Sequence, residues 1–278
     1  MDETRAVSDL LEAYRTRTPI PPLTETHGPV PMEQAYEIQL SQVRSWVGDG
    51  RTVIGHKVGL TSVAMQRQLG VDRPDFGHLM DDFAHLEHQP IPLESYLQPR
   101  IEPEIAFVLG KPLQGPGVTV AQAIDAVDYV LPALEIVDSR IADWKITIGD
   151  TIADNASSGG FVLGSTPTPL DALDLRLLGC VLSRNSQIVG TGAGGAVLGS
   201  PLTSLVWLAN TVGVLGTRLE AGHVVLPGSV TSMVPVAPGD VFTATFAGLG
   251  SVTALFANQD SAKQGQGSTM KRTPGATR

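Results

Sequence analysis

The sequence predicts an α+β protein in which a smaller helical part precedes a larger part built from short strands. Apolar residues recur at helical spacing through the first 50 residues, whereas beyond Pro74 they occur in short runs. Glycine, proline and aspartate separate these runs, and the chain contains 30 glycines and 20 prolines. Turn residues spaced in this way are typical of sheet-rich folds.

The individual elements follow from periodicity and from the residues that start and stop them. The predicted helices lie at 4–17, 31–47, 61–69, 119–126 and 201–214. The predicted strands lie at 52–58, 101–109, 129–137, 160–164, 177–184, 187–191, 223–226, 241–247 and 251–256. Arg184-Asn-Ser186 has the composition of a hairpin turn.

These elements divide the 278-residue chain into three parts. We expect an N-terminal helical region at 1–75, a strand-rich catalytic domain at 76–257, and a disordered tail at 258–278. The tail is predicted because its residues are almost all polar and so offer little for a core.

Composition excludes several classes of protein. A net charge of −9 with a pI near 5.1 provides no basic field for nucleic acid or for an anionic membrane. The single cysteine, Cys180, excludes an internal disulfide and a multi-cysteine zinc site. The N-terminus lacks the apolar core of a signal peptide, and no uninterrupted apolar run approaches membrane-spanning length. We therefore expect a cytoplasmic protein without nucleic-acid or membrane partners.

Three glutamates are the first candidates for chemistry. In the strand predicted at 101–109, Glu102 and Glu104 are one residue apart and so leave the same face. Glu135 lies in an otherwise apolar strand, where an ionised carboxylate is costly without a positive partner. If the two strands are neighbours, a hard divalent cation would relieve the repulsion among the three. The sequence thus predicts a Mg²⁺ or Mn²⁺ site, and a solvated strand face is the alternative.

Lys57 and Asp75 are the candidates for proton transfer. Lys57 lies in an apolar strand that leads into a glycine-rich turn, where burial would lower its pKa. A lysine that extends to solvent is the alternative. Pro74-Asp-Phe-Gly77 has the composition of a tight turn, from which Asp75 could orient Lys57 or a water molecule.

The remaining candidates would contact an anionic substrate. Lys145 and Arg140 follow the strand that carries Glu135, and for each the alternative is a surface ion pair, which we expect for Arg140. Ser157 could donate a hydrogen bond to substrate, with a capping or turn role as the alternative. Ser229, in Pro227-Gly-Ser-Val-Thr231, could hold a carboxylate together with nearby amides, unless the segment is a simple turn.

Several motifs together resemble the 2-keto-4-pentenoate (2-hydroxypenta-2,4-dienoate) hydratases of the fumarylacetoacetate hydrolase superfamily. The resemblance spans roughly residues 5–257. The motifs are Gly55-His-Lys-Val-Gly-Leu-Thr-Ser62, Pro74-Asp-Phe-Gly77, Pro99-Arg-Ile-Glu-Pro-Glu-Ile-Ala-Phe107, Leu134-Glu-Ile-Val-Asp-Ser-Arg140, Asp154-Asn-Ala-Ser157 and Trp207-Leu-Ala-Asn210.

The resemblance implies a mixed β-roll or sandwich of the fumarylacetoacetate hydrolase C-terminal type. It implies Mg²⁺ or Mn²⁺ on Glu102, Glu104 and Glu135, with Lys57 and Asp75 as the acid/base pair. It also implies a homo-oligomer and a small 2-oxo or 2-hydroxydienoic acid substrate from the meta-cleavage degradation of aromatic compounds. An aldolase of the same pathway would be a partner.

The motifs are compatible with more than one reaction of this superfamily. Hydration of 2-hydroxypenta-2,4-dienoate to 4-hydroxy-2-oxopentanoate is the reading that the motifs favour. Other motifs are also similar to those of 2-oxohept-4-ene-1,7-dioate hydratases and of 4-oxalocrotonate decarboxylases. A non-catalytic partner subunit is the alternative outside enzymology.

Overall fold

The computed structural model describes residues 2–62, 66–67 and 70–258. Its α-helices are α1 (Glu3–Thr16), α2 (Leu23–Thr26), α3 (Met32–Gly48), α4 (Val120–Ala126), α5 (Ile148–Ala153) and α6 (Pro201–Val214). Its strands are β1 (Val53–Gly59), β2 (Asp75–Met80), β3 (Ala84–His85), β4 (Pro90–Ile91), β5 (Arg100–Leu109), β6 (Val127–Val137), β7 (Ser158–Leu163), β8 (Gly179–Arg184), β9 (Gln187–Ala193), β10 (Val224–Leu226), β11 (Val234–Pro235), β12 (Val241–Phe246) and β13 (Gly250–Phe256).

The larger sheet carries the three glutamates, Lys57 and Asp75. Within the described residues it has eight strands, in the order β2-β1-β10-β5-β6-β7-β3, and β11 pairs with β5. β5 and β6 form its long antiparallel centre, whereas β1 and β10 run parallel. The middle of β5 and of β6 is buried throughout, which explains their nearly continuous apolar sequences.

A second sheet has five strands in the described part of the chain, in the order β4-β13-β12-β8-β9. β8 and β9 form a hairpin whose turn residues, Asn185 and Ser186, both have positive φ, at 50° and 67°. That conformation matches the right-handed twist of the two strands. The hairpin predicted at this turn is therefore confirmed.

The helices cover the larger sheet and hold its edge strand, β2, in place. α3 lies beside α5, and its buried Gln39 donates hydrogen bonds to the carbonyls of Phe76 in β2 and Ile152 in α5. Gln42, one turn further on, donates to the carbonyl of Ala153. Because buried carbonyls need donors, these two side chains fix the helix against the strand and α5.

One helical segment of the described chain, Gly194–Val214, is long and apolar enough by composition to cross a membrane. It contains α6, whose buried residues include Leu205, Leu208 and Val212. A helix that packs one face into a protein core passes the same test of length and hydropathy, so the finding by itself is weak.

The predicted α+β class is confirmed, and one element differs from its prediction. Asp75–Met80 is a fully buried strand rather than a turn, because all six of its residues pair with β1. β1 pairs with β2 across the boundary drawn at residue 75, so the two predicted parts share one sheet. The helix predicted at 61–69 lies partly outside the described residues, and so does the tail, apart from Asn258.

Candidate metal centre and active site

The pairing of β5 with β6 brings the three predicted glutamates together. Glu102 lies directly opposite Glu135 in the antiparallel register, and Glu104 follows on the same face of β5. One carboxylate oxygen from each of the three lies within 4.8 Å of the others. The period-two argument made from the sequence therefore predicted their relative positions correctly.

These carboxylates are poorly compensated by the protein. Among the described residues, Glu104 Oε1 and both oxygens of Glu135 are buried and accept no hydrogen bond. Glu104 Oε2 accepts one from the backbone N–H of Gly228, at 2.8 Å. Burial and repulsion from Glu135 raise the pKa of Glu102 to about 7, and the same two causes raise the pKa of Glu104. A cluster of three carboxylates with so few donors suits a hard divalent cation such as Mg²⁺ or Mn²⁺.

Lys57 is the positive group closest to this cluster. Its Nζ lies 3.1 Å from Glu135 Oε1 and donates a hydrogen bond to the carbonyl of Ala156, at 3.0 Å. Burial alone would lower its pKa, but the attraction of Glu135, followed by Asp75, Glu102 and Glu104, outweighs burial and raises the pKa. The prediction of a lowered pKa was therefore wrong in sign. A cation on the glutamates would weaken this attraction.

Asp75 is the first residue of β2, and its side chain lines the same cavity as Lys57. It pairs with Gly59 in β1, and a Cβ on Gly59 would lie only 2.2 Å from Asp75 Oδ1. Glycine at 59 is thus what allows the carboxyl group to lie over β1. Burial raises the pKa of Asp75, although Lys57 opposes the shift, and Oδ1 has no hydrogen-bond partner among the described residues. The structure therefore joins Lys57 and Asp75 on two paired strands.

A left-handed turn completes this side of the site. Asn155, Ala156 and Ser157 all have positive φ, between 50° and 53°, a conformation that is costly for residues other than glycine. The Asn155 side chain accepts from the backbone N–H of His78, at 2.8 Å, and donates to its carbonyl, at 2.9 Å. These two bonds hold the turn on β2, and the turn presents the Ala156 carbonyl to Lys57.

A cavity of about 610 Å³ opens above these groups. Its lining includes Lys57, Asp75 and Glu102, together with both serines predicted to contact substrate, Ser157 and Ser229. Ser157 is buried, and its hydroxyl lies 3.4 Å from that of Thr151, which also lines the cavity. The serines are placed where they could meet a small ligand.

Lys145 does not lie in this cavity. Its side chain is 67% exposed, and its Nζ forms an ion pair with Asp143, at 3.6 Å. The surface ion pair considered as the alternative is what the structure shows, so Lys145 is withdrawn as a substrate contact. The reason is local, because Trp144, not Lys145, turns towards the cavity.

The prediction for Arg140 was wrong in the opposite sense, because this residue is buried. Expected in a surface ion pair, it is 1% exposed and its Nε donates to Asp154 Oδ1, at 2.5 Å. Its Nη1 and Nη2 donate to the carbonyls of Ser158 and Asp154, and its guanidinium lies 4.2 Å from the ring centre of Tyr14. Arg140 therefore ties α1 to the segment that carries the left-handed turn.

Arg100 is a cavity residue that the sequence analysis did not select. It precedes Glu102 by two positions in β5, so the period that placed the glutamates on one face also places Arg100 there. That signal was available in the sequence. Thr191, from β9 of the second sheet, also lines the cavity, and no local sequence pattern pointed to it.

Comparison with known proteins identifies the family of this chain. Residues 45–257 match the family model described as fumarylacetoacetate (FAA) hydrolase C-terminal. A 2-keto-4-pentenoate hydratase of Paraburkholderia xenovorans is 50% identical over 251 residues, which cover 90% of this chain and 93% of the relative. A TodF product hydratase of Pseudomonas putida is 48% identical over 91% of this chain and 95% of the relative.

A solved structure extends the comparison to three dimensions. The 4-oxalocrotonate decarboxylase from Pseudomonas putida G7, complexed with magnesium and adipate, superposes with a TM-score of 0.88 and 37% identity. The match covers 92% of this chain and 98% of the decarboxylase. The family match, the identities and the shared fold lead to one conclusion: the chain belongs to the fumarylacetoacetate hydrolase family and, within it, to the group that contains the 2-keto-4-pentenoate hydratases.

Proposed function

We propose that this chain is a divalent-metal-dependent hydratase that converts 2-hydroxypenta-2,4-dienoate into 4-hydroxy-2-oxopentanoate, a step in the meta-cleavage degradation of aromatic compounds. The observation that carries the proposal is the convergence of Glu102, Glu104 and Glu135 beside Lys57 and Asp75. Relatives of 48% and 50% identity that are named hydratases support the reaction type. The solved decarboxylase complexed with magnesium supports a divalent cation.

The substrate makes hydration possible without an unstabilised cation. Moving a proton from the 2-hydroxyl group to C5 gives the 2-oxo-3-enoate, whose carbonyl makes C4 electrophilic. Water then adds its oxygen to C4 and a proton to C3. A Mg²⁺ or Mn²⁺ ion held by Glu102, Glu104 and Glu135 would supply positive charge to the 2-oxo acid end.

Lys57 and Asp75 are suited to the two kinds of proton transfer. Lys57 Nζ lies 3.1 Å from Glu135, so its ammonium group is placed to donate a proton and to orient polar groups of the substrate. Asp75 has a raised pKa and a carboxyl oxygen without a partner, so it can accept a proton from water and return it. The carbonyl of Ala156 keeps the Lys57 ammonium aimed at the cluster.

The same residues could support decarboxylation, because both reactions pass through an enolate. Of the two, hydration is favoured by the higher identity to hydratases, 50% against 37% for the decarboxylase. The test is to incubate the pure Mg²⁺-loaded protein with each type of substrate. Loss of dienoate absorbance with formation of 4-hydroxy-2-oxopentanoate is expected. Release of CO₂ from 2-oxohex-3-enedioate without hydration of the dienoate would overturn the proposal.

Asp75→Asn tests the assignment of the proton-transfer residue. The amide keeps the size of the side chain but cannot accept a proton, so we expect kcat to fall by about 10²- to 10⁴-fold. Mn²⁺ affinity should stay close to that of the parent, because Asp75 is outside the set of three glutamates. A variant with parental kcat would remove Asp75 from the mechanism.

Other properties remain predictions of the sequence. They are a homo-oligomer, a cytoplasmic location and an aldolase partner that consumes the product. Light scattering on the eluted protein would test the first. The non-catalytic subunit would be the better description if the pure protein hydrated no dienoate while Glu104→Gln disrupted its assembly.

A further inference from the structure

Two cationic side chains line the 610 Å³ cavity in the part of the chain that the structure describes, Lys57 and Arg100. Lys57 is already engaged by Glu135 and by the carbonyl of Ala156. Arg100 forms no ion pair with any described residue, and its contact with the sulfur of Met233, at 3.6 Å, is weak. Most of the donors of its guanidinium therefore remain open to a ligand.

The position of Arg100 relates it to the glutamate cluster. It lies on the same face of β5 as Glu102, one side-chain repeat away, or about 7 Å between Cα atoms. Glu102 is the charged residue that acts on it electrostatically. On the side of the cluster where Lys57 and Asp75 lie, proton transfer to the carbon chain is proposed. Lys57 pairs with Leu226 of β10, and the adjacent Val225 pairs with Phe107 of β5, so Lys57 lies towards the Glu104 side of the cluster. Arg100 lies beyond Glu102, on the other side, where the acid end of the substrate would face it.

Trp144 fixes the plane of this guanidinium. The Arg100 carbon Cζ lies 4.4 Å from the centre of the Trp144 ring, and the indole N–H donates to the carbonyl of Gln98, at 3.1 Å. Trp144 has φ 56°, a left-handed conformation that is unusual for so bulky a residue. Backbone strain of this kind is found at functional sites, where the surrounding structure enforces it.

We propose that Arg100 binds the carboxylate of the 2-oxo acid substrate and that Trp144 is a positioning residue for it. A guanidinium offers two parallel N–H donors that match the two oxygens of a carboxylate. This inference rests on the proposed function only in assuming a 2-oxo acid as ligand, so it applies equally to a hydratase and to a decarboxylase. It assigns recognition of the acid group to a residue outside the glutamate set.

The test compares an acid with its neutral counterpart. Binding of 2-oxopentanoate and of 2-oxopentanamide, neither of which has a double bond to hydrate, is measured by calorimetry in saturating Mg²⁺. In the parent, the acid should bind more tightly than the amide. Arg100→Met should reduce this preference by about 10- to 100-fold, the usual effect of losing a charged hydrogen bond. Arg100→Lys should retain part of the preference, and Trp144→Ala should reduce it less than Arg100→Met.

The controls separate this role from a structural one. Arg44→Met, at an exposed position of α3, should leave the preference unchanged. Mn²⁺ affinity and melting temperature of Arg100→Met should match the parent. The proposal is wrong if Arg100→Met weakens acid and amide equally or affects neither. It is also wrong if Arg100→Met weakens the binding of 2-oxohexanedioate, which has a second carboxylate at its far end, but not that of 2-oxopentanoate. Arg100 would then bind the far carboxylate rather than the one beside the 2-oxo group. Failure to hydrate a dienoate would contradict the proposed function without changing these binding results.

Discussion

Glu104 illustrates why the acidic cluster needs a cation. Its carboxylate is fully buried, has one backbone donor, and shares a small volume with two other carboxylates. In a low-dielectric interior, such a group is protonated unless positive charge is near. The raised pKa of Glu104 is the sign of that cost. A bound divalent ion would convert the same cluster from a source of repulsion into a source of stability.

Glu104→Gln should therefore act in opposite directions on metal binding and on the metal-free fold. The amide removes one charged ligand, so Mn²⁺ affinity should fall at least about 100-fold. It still accepts the hydrogen bond from Gly228 and no longer repels Glu135, so stability in EDTA should equal or exceed that of the parent. Spin-resonance titration of Mn²⁺ and melting curves in EDTA provide the two readouts.

Glu37→Gln, at an exposed position of α3, is the matched control and should change neither quantity. Unaltered Mn²⁺ affinity in Glu104→Gln would show that the ion binds elsewhere. A large loss of metal-free stability would show that Glu104 has a structural partner that the repulsion argument overlooks.

The residues whose environment the sequence misjudged are basic ones. Lys57 was correctly expected to be buried, but the sign of its pKa shift depends on the sum of four carboxylates from three strands. Arg140 and Lys145 stand in the same polar segment, yet one is 1% exposed and the other has a largely exposed side chain. Which basic residue is buried depends on the acids that tertiary folding brings near it, and no local pattern contains that information.

At the scale of elements, side-chain periodicity predicted the long strands β5 and β6 but not β2. β5 and β6 were found because each is a long apolar run, and their side-chain period placed the glutamates correctly. β2 was missed because its first three residues have the composition of a turn, although all six residues are buried. Propensity describes a segment in isolation, whereas β2 owes its conformation to pairing with β1.

The left-handed turn Asn155–Ser157 is the element that depends most on a single side chain. Nothing in Asp154-Asn-Ala-Ser157 requires three consecutive residues with positive φ, and only asparagine tolerates that conformation readily. The two hydrogen bonds between Asn155 and the backbone of His78 compensate for the strain. The carbonyl of Ala156, within this turn, accepts the hydrogen bond that holds Lys57.

Asn155→Asp should disturb both the fold and the reaction. The new carboxylate oxygen would face the carbonyl of His78 where an N–H donor stood, and its charge would be buried. We expect the free energy of unfolding to fall by roughly 2–4 kcal/mol. We also expect kcat/KM to fall, because the Ala156 carbonyl and Ser157 would move. Urea unfolding and steady-state kinetics measure the two effects.

Asn210→Asp provides a matched control for this prediction. Asn210 also bridges backbone groups, those of Gly117 and Val118, but it is not among the cavity-lining residues. Its substitution should lower stability while leaving kcat/KM unchanged. If the two variants lose activity in proportion to their loss of stability, the turn has no particular role in catalysis.

At the scale of the whole molecule, two buried histidines contribute to the response to acid. His56 and His78 lie on the face of β1 and β2 opposite Lys57, with ring centres 4.8 Å apart. Burial lowers the pKa of both, and that of His78 to about 4. Below the ordinary pKa of about 6.5, the unfolded chain binds protons that the folded chain does not. Each histidine therefore stabilises the unfolded state as the pH falls towards 4.

Comparison with His78→Gln isolates this contribution from that of other titrating groups. Glutamine does not titrate and can still donate to Gln39 Oε1, which accepts a hydrogen bond from His78 Nδ1, at 3.1 Å. Between pH 6.5 and pH 4, the parent should lose about 1.4 kcal/mol per pH unit relative to the variant, or roughly 3 kcal/mol in total. Urea unfolding at pH 7.5, 6.5, 5 and 4 measures the difference. Parallel pH profiles would mean that His78 titrates normally in the folded protein.

The pairing of β1 with β2 across residue 75 has a consequence for how this protein could be divided. A truncated chain that starts at residue 76 would lack both Lys57 and Asp75, although all three glutamates would remain. It would also leave β10 as an unprotected sheet edge, a surface prone to intermolecular pairing. A break at residue 75 would thus separate the proposed proton-transfer residues from the acidic cluster, and we expect the fragment to be insoluble and inactive rather than a minimal enzyme.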